Sequence, residues 1–268
     1  MAQGPSRLTK AVTQDVQKML AGDPSPQALE NALRHLAKWR AHLLENTLLQ
    51  TDGDAVQTGP FKGMRYATRA TEGARIARIL GCYEVTLAPV IEEVIARAYP
   101  LVIDLGSAEG YYAVGLATRM ADTRIMARDE NPKAQESCAA LAKANDVADR
   151  VEVGGLMDHT DFDICKDQET LVICDIEGAE DALLDLNTAP GLAHADILVE
   201  CHDCMIPGLS DRIAKRFEKT HQITRLGRAT DSSTLPAWMD RLSDLDRAIA
   251  LWEWRAGPTP WLWMTRHG

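Results

Sequence analysis

The chain has 268 residues, 46% hydrophobic and 25% charged, ordinary proportions for a globular enzyme and a length that allows one large α/β domain with an appendage. Lys and Arg total 29 against 39 for Asp and Glu; the net charge of −10, with no basic block to offset it, argues against nucleic-acid binding. No apolar run reaches the roughly 20 residues that span a bilayer, and the first six residues carry no basic start before an apolar stretch, so the expected location is cytoplasmic, away from membranes.

Residues 1 to about 50 read as helical, because Leu29, Leu33, Leu36, Trp39, Leu43 and Leu44 recur at three- and four-residue steps after Pro26. Such a stripe packs on the rest of the chain, or serves as a homodimer contact or an active-site lid. The polar, turn-rich stretch 51–60 marks a linker, dividing the chain into an N-terminal helical extension, 1–58, and a main domain, 59–268. A short strand is expected at 61–66, then a helix over 72–98 interrupted near Gly81 and at Pro89. Tyr83 and Glu84 fall at that break, just before the next strand. They either line a ligand pocket, with Glu84 facing a cationic ligand, or form core and a solvated helix-start carboxylate.

The run Leu101-Val-Ile-Asp-Leu-Gly-Ser-Ala-Glu-Gly110 feeds four apolar residues and Asp104 into a glycine-spaced turn that opens into a helix at 111–120. Gly106 and Gly110 allow positive φ and close approach of a ligand to the backbone, and N–H groups at the next helix start face it. A dinucleotide fingerprint reads G-x-G-x-x-G; this turn reads D-x-G-x-x-x-G, with Ser107 in place of the second close glycine, which disfavours NAD. A strand at 124–128 then places the Asp129 carboxylate at its tip, where a ribose diol would sit.

Further on, helix 132–145, strand 151–153, strand 170–175, helix 179–186, strand 196–200, helix 210–219 and strand 222–226 alternate, which implies a parallel sheet covered by helices on both faces. A helical insertion over 236–254 precedes a last strand, 261–265. Trp238, Trp252, Trp254, Trp261 and Trp263 crowd this end, as core, lid packing or the wall of an acceptor pocket. The six cysteines, at 82, 138, 165, 174, 201 and 204, show no small secreted framework and are expected to be reduced; Cys201 and Cys204, with no second pair at useful spacing, make a weak zinc motif.

The D-x-G-x-x-x-G turn resembles the first motif of the class I S-adenosylmethionine (SAM)-dependent methyltransferases. Leu171-Val-Ile-Cys-Asp-Ile-Glu-Gly-Ala-Glu180 resembles the D-x-E-G-A-E signature of their FkbM-like branch, and Ile197-Leu-Val-Glu-Cys-His202 that branch's strand ending in Glu-x-His. The resemblance spans roughly residues 80 to 226; Arg128 and Glu130 depart from it, standing where the branch has an aromatic residue and a proline. It implies a doubly wound, seven-stranded, mostly parallel Rossmann-like sheet, with the last strand antiparallel and inserted between the fifth and sixth. By the same resemblance Gly106 and Gly110 bound the methionine end of SAM, Asp104 and Ser107 belong to the same cofactor-binding set, Asp129 takes the ribose hydroxyls, and Asp158, in the loop after the third strand, is the candidate for the adenine amino group. Glu84 joins this set as a cofactor-facing carboxylate.

Ligands of open α/β sheets bind outside the carboxyl ends of the strands, so Asp104, Asp129, Asp175 and Glu200 belong on one rim. His202, just past the fifth strand, is the best base in the sequence, with Asp175 and Glu200 beside it as catalytic partners. The same three side chains, Asp175, Glu200 and His202, form a candidate site for Mg²⁺, Mn²⁺ or Fe²⁺; Glu177 and Glu180 offer an alternative source of charge. The expected reaction is methyl transfer from SAM to an oxygen of a small-molecule acceptor, a sugar or a secondary metabolite. Nitrogen or sulfur transfer, an NAD-dependent oxidoreductase and a silent SAM-binding protein are the rival readings.

Overall fold

Ser6 and Ser25 each precede a run of helix formers, and each caps a helix. The computed structural model describes residues 6–70, 73–255 and 257–267. In α1 (Arg7–Met19) the Ser6 hydroxyl accepts the N–H of Thr9; in α2 (Pro26–Asp52) Ser25 accepts that of Ala28, with Pro26 pre-set in the first turn. α2 continues through Thr51 and Asp52, into the expected linker, and stops at Gly53 with φ +83°. Ala41, Leu44 and Leu48 bury its C-terminal half in the main core, and Arg40 grips Asp246 with two hydrogen bonds of 2.6 and 2.7 Å. Leu29, Leu33 and Leu36, on its N-terminal half, remain exposed.

Residues 61–66 are not a strand. Gly63, at φ +92°, reverses the chain, and its N–H bonds back to Val56 O at 2.8 Å, leaving a single antiparallel bridge between Ala55 and Arg65. The helix expected over 72–98 divides as its glycine foretold: α3 (Arg75–Leu80) ends at the left-handed Gly81, and α4 (Ala88–Arg97) follows a 3₁₀ turn. Pro89 sits in the first turn of this second helix, since its missing N–H falls among those a first turn leaves free. Glu72 lies outside the described residues, as do residues 1–5 of the expected N-terminal helix.

The sheet is built from β1 (Leu101–Leu105), α5 (Tyr111–Arg119), β2 (Arg124–Arg128), α6 (Pro132–Ala144), β3 (Val151–Gly154), β4 (Thr170–Cys174), α7 (Glu180–Leu183), β5 (Ala195–Glu200), α8 (Leu209–Phe217), β6 (His221–Leu226), α9 (Asp244–Ala250) and β7 (Trp261–Arg266). Its order is β3-β2-β1-β4-β5-β7-β6: the first five strands are parallel, and β7 runs antiparallel between β5 and β6, as the resemblance implied. β1, β4 and β5 are buried at every position, which explains why they read as apolar runs rather than alternations. Alternate residues still feed opposite faces: Leu198 enters one core cluster, Ile197 and Val199 the other. No helix among the described residues is long and apolar enough to cross a membrane.

Candidate active site

The carboxyl ends of β1, β2, β4 and β5 share one rim, and the turn after β1 is the tightest point on it. Gly106 adopts φ +75°, and a Cβ there would lie 1.7 Å from the carbonyl oxygen of Asp175, so only glycine allows the turn to press against the end of β4. The N–H groups of Gly106 and Ser107 both bond to Arg128 O, at 2.8 and 3.0 Å. Ala108 is left-handed, and its N–H donates to Asp129 Oδ2 at 2.9 Å, while Asp129 Oδ1 accepts from Asn131 N–H at 2.8 Å. The Asp129 carboxylate thus braces the turn from the tip of β2. Gly110 (φ +93°) closes the turn at the start of α5, where a Cβ would meet Cys138 Sγ at 2.7 Å.

Asp104 is 3% exposed, and its Oδ2 has no hydrogen-bond partner among the described residues; the same is true of Ser107 Oγ. Burial pushes the Asp104 carboxyl up to about 7, against the N–H of Ala113, which favours the charged form. Both residues line a cavity with Arg78, Tyr83, Tyr112 and Asp175. Arg78 stacks its guanidinium 4.0 Å from the centre of the Tyr83 ring and pairs with Glu109 at 3.3 Å. The cavity therefore presents a carboxylate and a guanidinium to whatever enters it.

Glu84 is buried and left-handed. Its Oε2 accepts from the Tyr112 hydroxyl, and its Oε1 from Arg255 and from Trp261 Nε1 at 3.1 Å. Burial and the neighbouring charge of Glu200 push its carboxyl up to about 7, with Arg255 acting against them. Asp158 lies elsewhere: it is exposed, and its carboxylate forms a capping box with Asp161 at the start of the 3₁₀ segment His159–Lys166. It does not line the cavity.

At the ends of β4 and β5 three of the predicted side chains converge. His202 is 3% exposed; its Nδ1 bonds to Glu180 Oε1 at 2.7 Å, and its Nε2 faces Glu177 Oε2 at 3.2 Å, Asp175 Oδ1 at 3.6 Å and Glu200 Oε2 at 3.9 Å. Burial opposes the imidazolium, but the Glu180 hydrogen bond and the charges of Glu200 and Glu177 outweigh it and hold the His202 pKa above its ordinary value. For Asp175, burial followed by the charges of Glu200 and Glu84 pushes the carboxyl well above the usual range, and its Oδ1 has no hydrogen-bond partner among the described residues. Donor atoms of Asp175, Glu200 and His202 all lie within 4.8 Å of one another.

Glu180, at the end of the D-x-E-G-A-E run, proves to orient the histidine. The left-handed pair Glu177 and Gly178 turns the chain so that α7 begins with Glu180 buried against His202. Two residues of the site carry no sequence signal: Arg78, on α3, and Arg255, in the loop before β7. Cys201 is buried and Cys204 exposed; neither belongs to the donor group.

No protein-family model matches the chain, and no curated protein matches it. Among solved structures it is similar to an O-methyltransferase from Bacillus cereus in complex with SAH, at 11% identity and TM-score 0.44, covering 96% of this chain and 97% of that one. The O-methyltransferase TomG of Streptomyces achromogenes, involved in tomaymycin synthesis and bound to SAM, aligns at 15% identity and TM-score 0.45, over 68% and 81% of the two chains. Precorrin 8w decarboxylase from Methanobacterium thermoautotrophicum aligns at 17% identity and TM-score 0.41, over 67% and 90%. At these identities and scores none of them assigns an acceptor or a residue role to this chain.

Proposed function

We propose that the chain is a SAM-dependent methyltransferase of the FkbM-like branch that transfers methyl to an oxygen of a small-molecule acceptor, such as a sugar or a secondary metabolite. The observation that carries this is the pair of buried, unpartnered atoms Asp104 Oδ2 and Ser107 Oγ beside the D-x-G-x-x-x-G turn. Orphaned polar atoms at such depth cost about 1 to 3 kcal/mol each unless a ligand completes them. A cofactor with an amino-acid end fits: Asp104 and Asp175 accept from its ammonium, Arg78 neutralises its carboxylate, and Asp129 stands at the next strand tip for the ribose hydroxyls. When bound, SAM supplies a methyl group already activated on a sulfonium, so the protein has mainly to align an acceptor and deal with its proton.

Asp175, Glu200 and His202 are the residues that would hold a divalent ion, and two carboxylates with one imidazole suit Mg²⁺, Mn²⁺ or Fe²⁺. When bound, such an ion lowers the pKa of a coordinated hydroxyl. The excess of carboxylates around Nε2 supports this reading, because they draw a cation to the point that His202 faces. The Glu180–His202 hydrogen bond favours a second one, in which Glu180 fixes the tautomer and Nε2 takes the acceptor's proton itself. A small-molecule acceptor is the partner either reading requires; the exposed Leu29, Leu33 and Leu36 are the surface on which a homodimer would rest.

Incubation with methyl-labelled SAM and a panel of sugar and phenol hydroxyls tests both. Label is expected on acceptor oxygen, and His202→Ala is expected to slow transfer by about 10²- to 10⁴-fold while SAH affinity holds. Loss of transfer on chelation, restored by Mn²⁺, selects the ion; transfer indifferent to chelation selects the base. Label on nitrogen or sulfur acceptors alone would contradict the oxygen assignment.

A further inference from the structure

Arg255 lies in the loop between α9 and β7, outside every motif, yet its guanidinium reaches the rim. It donates to Glu200 Oε1, Glu84 Oε1 and Thr259 Oγ1, and through Nε to Glu253 Oε2 at 2.8 Å. One oxygen of Glu200 is thereby committed, and the other, Oε2, is left facing His202 Nε2 at 3.9 Å. The imidazole opposite is held in the same manner: Glu180 takes Nδ1 at 2.7 Å and leaves Nε2. Each of the two most buried members of the donor group is thus gripped on the atom that points away from the group.

We infer that Arg255 is a positioning residue for a divalent ion at Asp175, Glu200 and His202; the inference rests on the ion reading given above. The terminal torsion of a glutamate is broad, so a carboxylate held at one oxygen presents the other far more reproducibly than a free one. Partners that orient metal-binding side chains from outside typically change affinity by about 10- to 100-fold. The positive charge of Arg255 does not repel the ion strongly, because the guanidinium is also paired with Glu84 and Glu253. Glu84 comes from the break between α3 and α4 and Glu253 from the loop that also carries Arg255, so the orientation of Glu200 depends on two segments distant in the chain from β5.

Mn²⁺ binding to the full chain, followed by loss of the free-ion electron paramagnetic resonance signal, tests this, with SAH affinity measured in parallel. Arg255→Met is expected to raise the Mn²⁺ Kd by about 10- to 100-fold, Arg255→Lys to recover part of the loss, and SAH affinity to stay unchanged in both. If the Met variant does not fold, the Lys variant carries the comparison, since it keeps the charge but replaces the fork by a single donor; its Kd should still exceed that of the wild type. Equal Mn²⁺ affinity in wild type and variants overturns the role of Arg255 alone. Loss of Mn²⁺ and SAH together, without recovery in the Lys variant, overturns it in favour of a structural role. Absence of Mn²⁺ binding to the wild type removes the ion reading itself, and this inference with it.

Discussion

Asp104 shows what the site demands of a single residue. Burial raises its carboxyl to about 7, whereas in the unfolded chain it titrates near the ordinary aspartate value of 3.8. The folded state therefore prefers the protonated form: this group leaves stability untouched below about pH 4, and lowers it progressively as pH rises towards 7, by at most about 4 kcal/mol. Thermal melts of the ligand-free wild type and Asp104→Asn should show a gap in favour of Asn that widens from pH 5 to pH 8. Glu84 titrates in the same range but is present in both proteins, so the difference isolates Asp104. A gap of constant size would contradict the buried-carboxylate account. Asp175, Glu200 and His202 were legible because each lies at or just past the end of a strand read from an apolar run. Arg78 and Arg255 were not: an arginine in a short helix or a loop carries no periodicity, and only the fold brings it to the rim.

Among the elements, buried strands were the most legible and turns the least. β1, β4 and β5 are buried throughout and mostly apolar because both faces are covered, and their observed limits fall within a residue of those expected. Residues 61–66 misled because a few apolar side chains suggest a strand whatever the backbone between them does; Gly63 reverses it. α7 stops at Leu183, three residues short of its expected end. Arg216 donates to the carbonyls of Asp181 and Leu184, at 2.8 and 2.6 Å, where a longer helix would need them for its own ladder. The turn after β1 yields the sharpest prediction at this scale. Gly106→Ala should abolish measurable SAH binding and lower the melting temperature, since the left-handed backbone alone costs roughly 1 to 2 kcal/mol and the new methyl collides with the Asp175 carbonyl. An alanine variant that binds SAH normally would show that the turn does not form the site's floor.

At the scale of the whole molecule, strand order and site agree in a way that neither would compel alone. The alternation of strands and helices implied a parallel sheet, but the position of β7 between β5 and β6 came from resemblance, since no local pattern encodes a neighbour 60 residues away. The same order places the tips of β1, β2, β4 and β5 on one rim, where a glycine turn, a bracing carboxylate and a histidine among carboxylates meet. Asp158, by contrast, shows how a loop carboxylate is claimed by local capping. The central claim is that this rim takes a SAM-type ligand and not a dinucleotide. Calorimetric titration of the full chain with SAH and, separately, with NAD tests it most directly: saturable heat from SAH at one site per chain and none from NAD is the predicted result, and heat from NAD with none from SAH would contradict it.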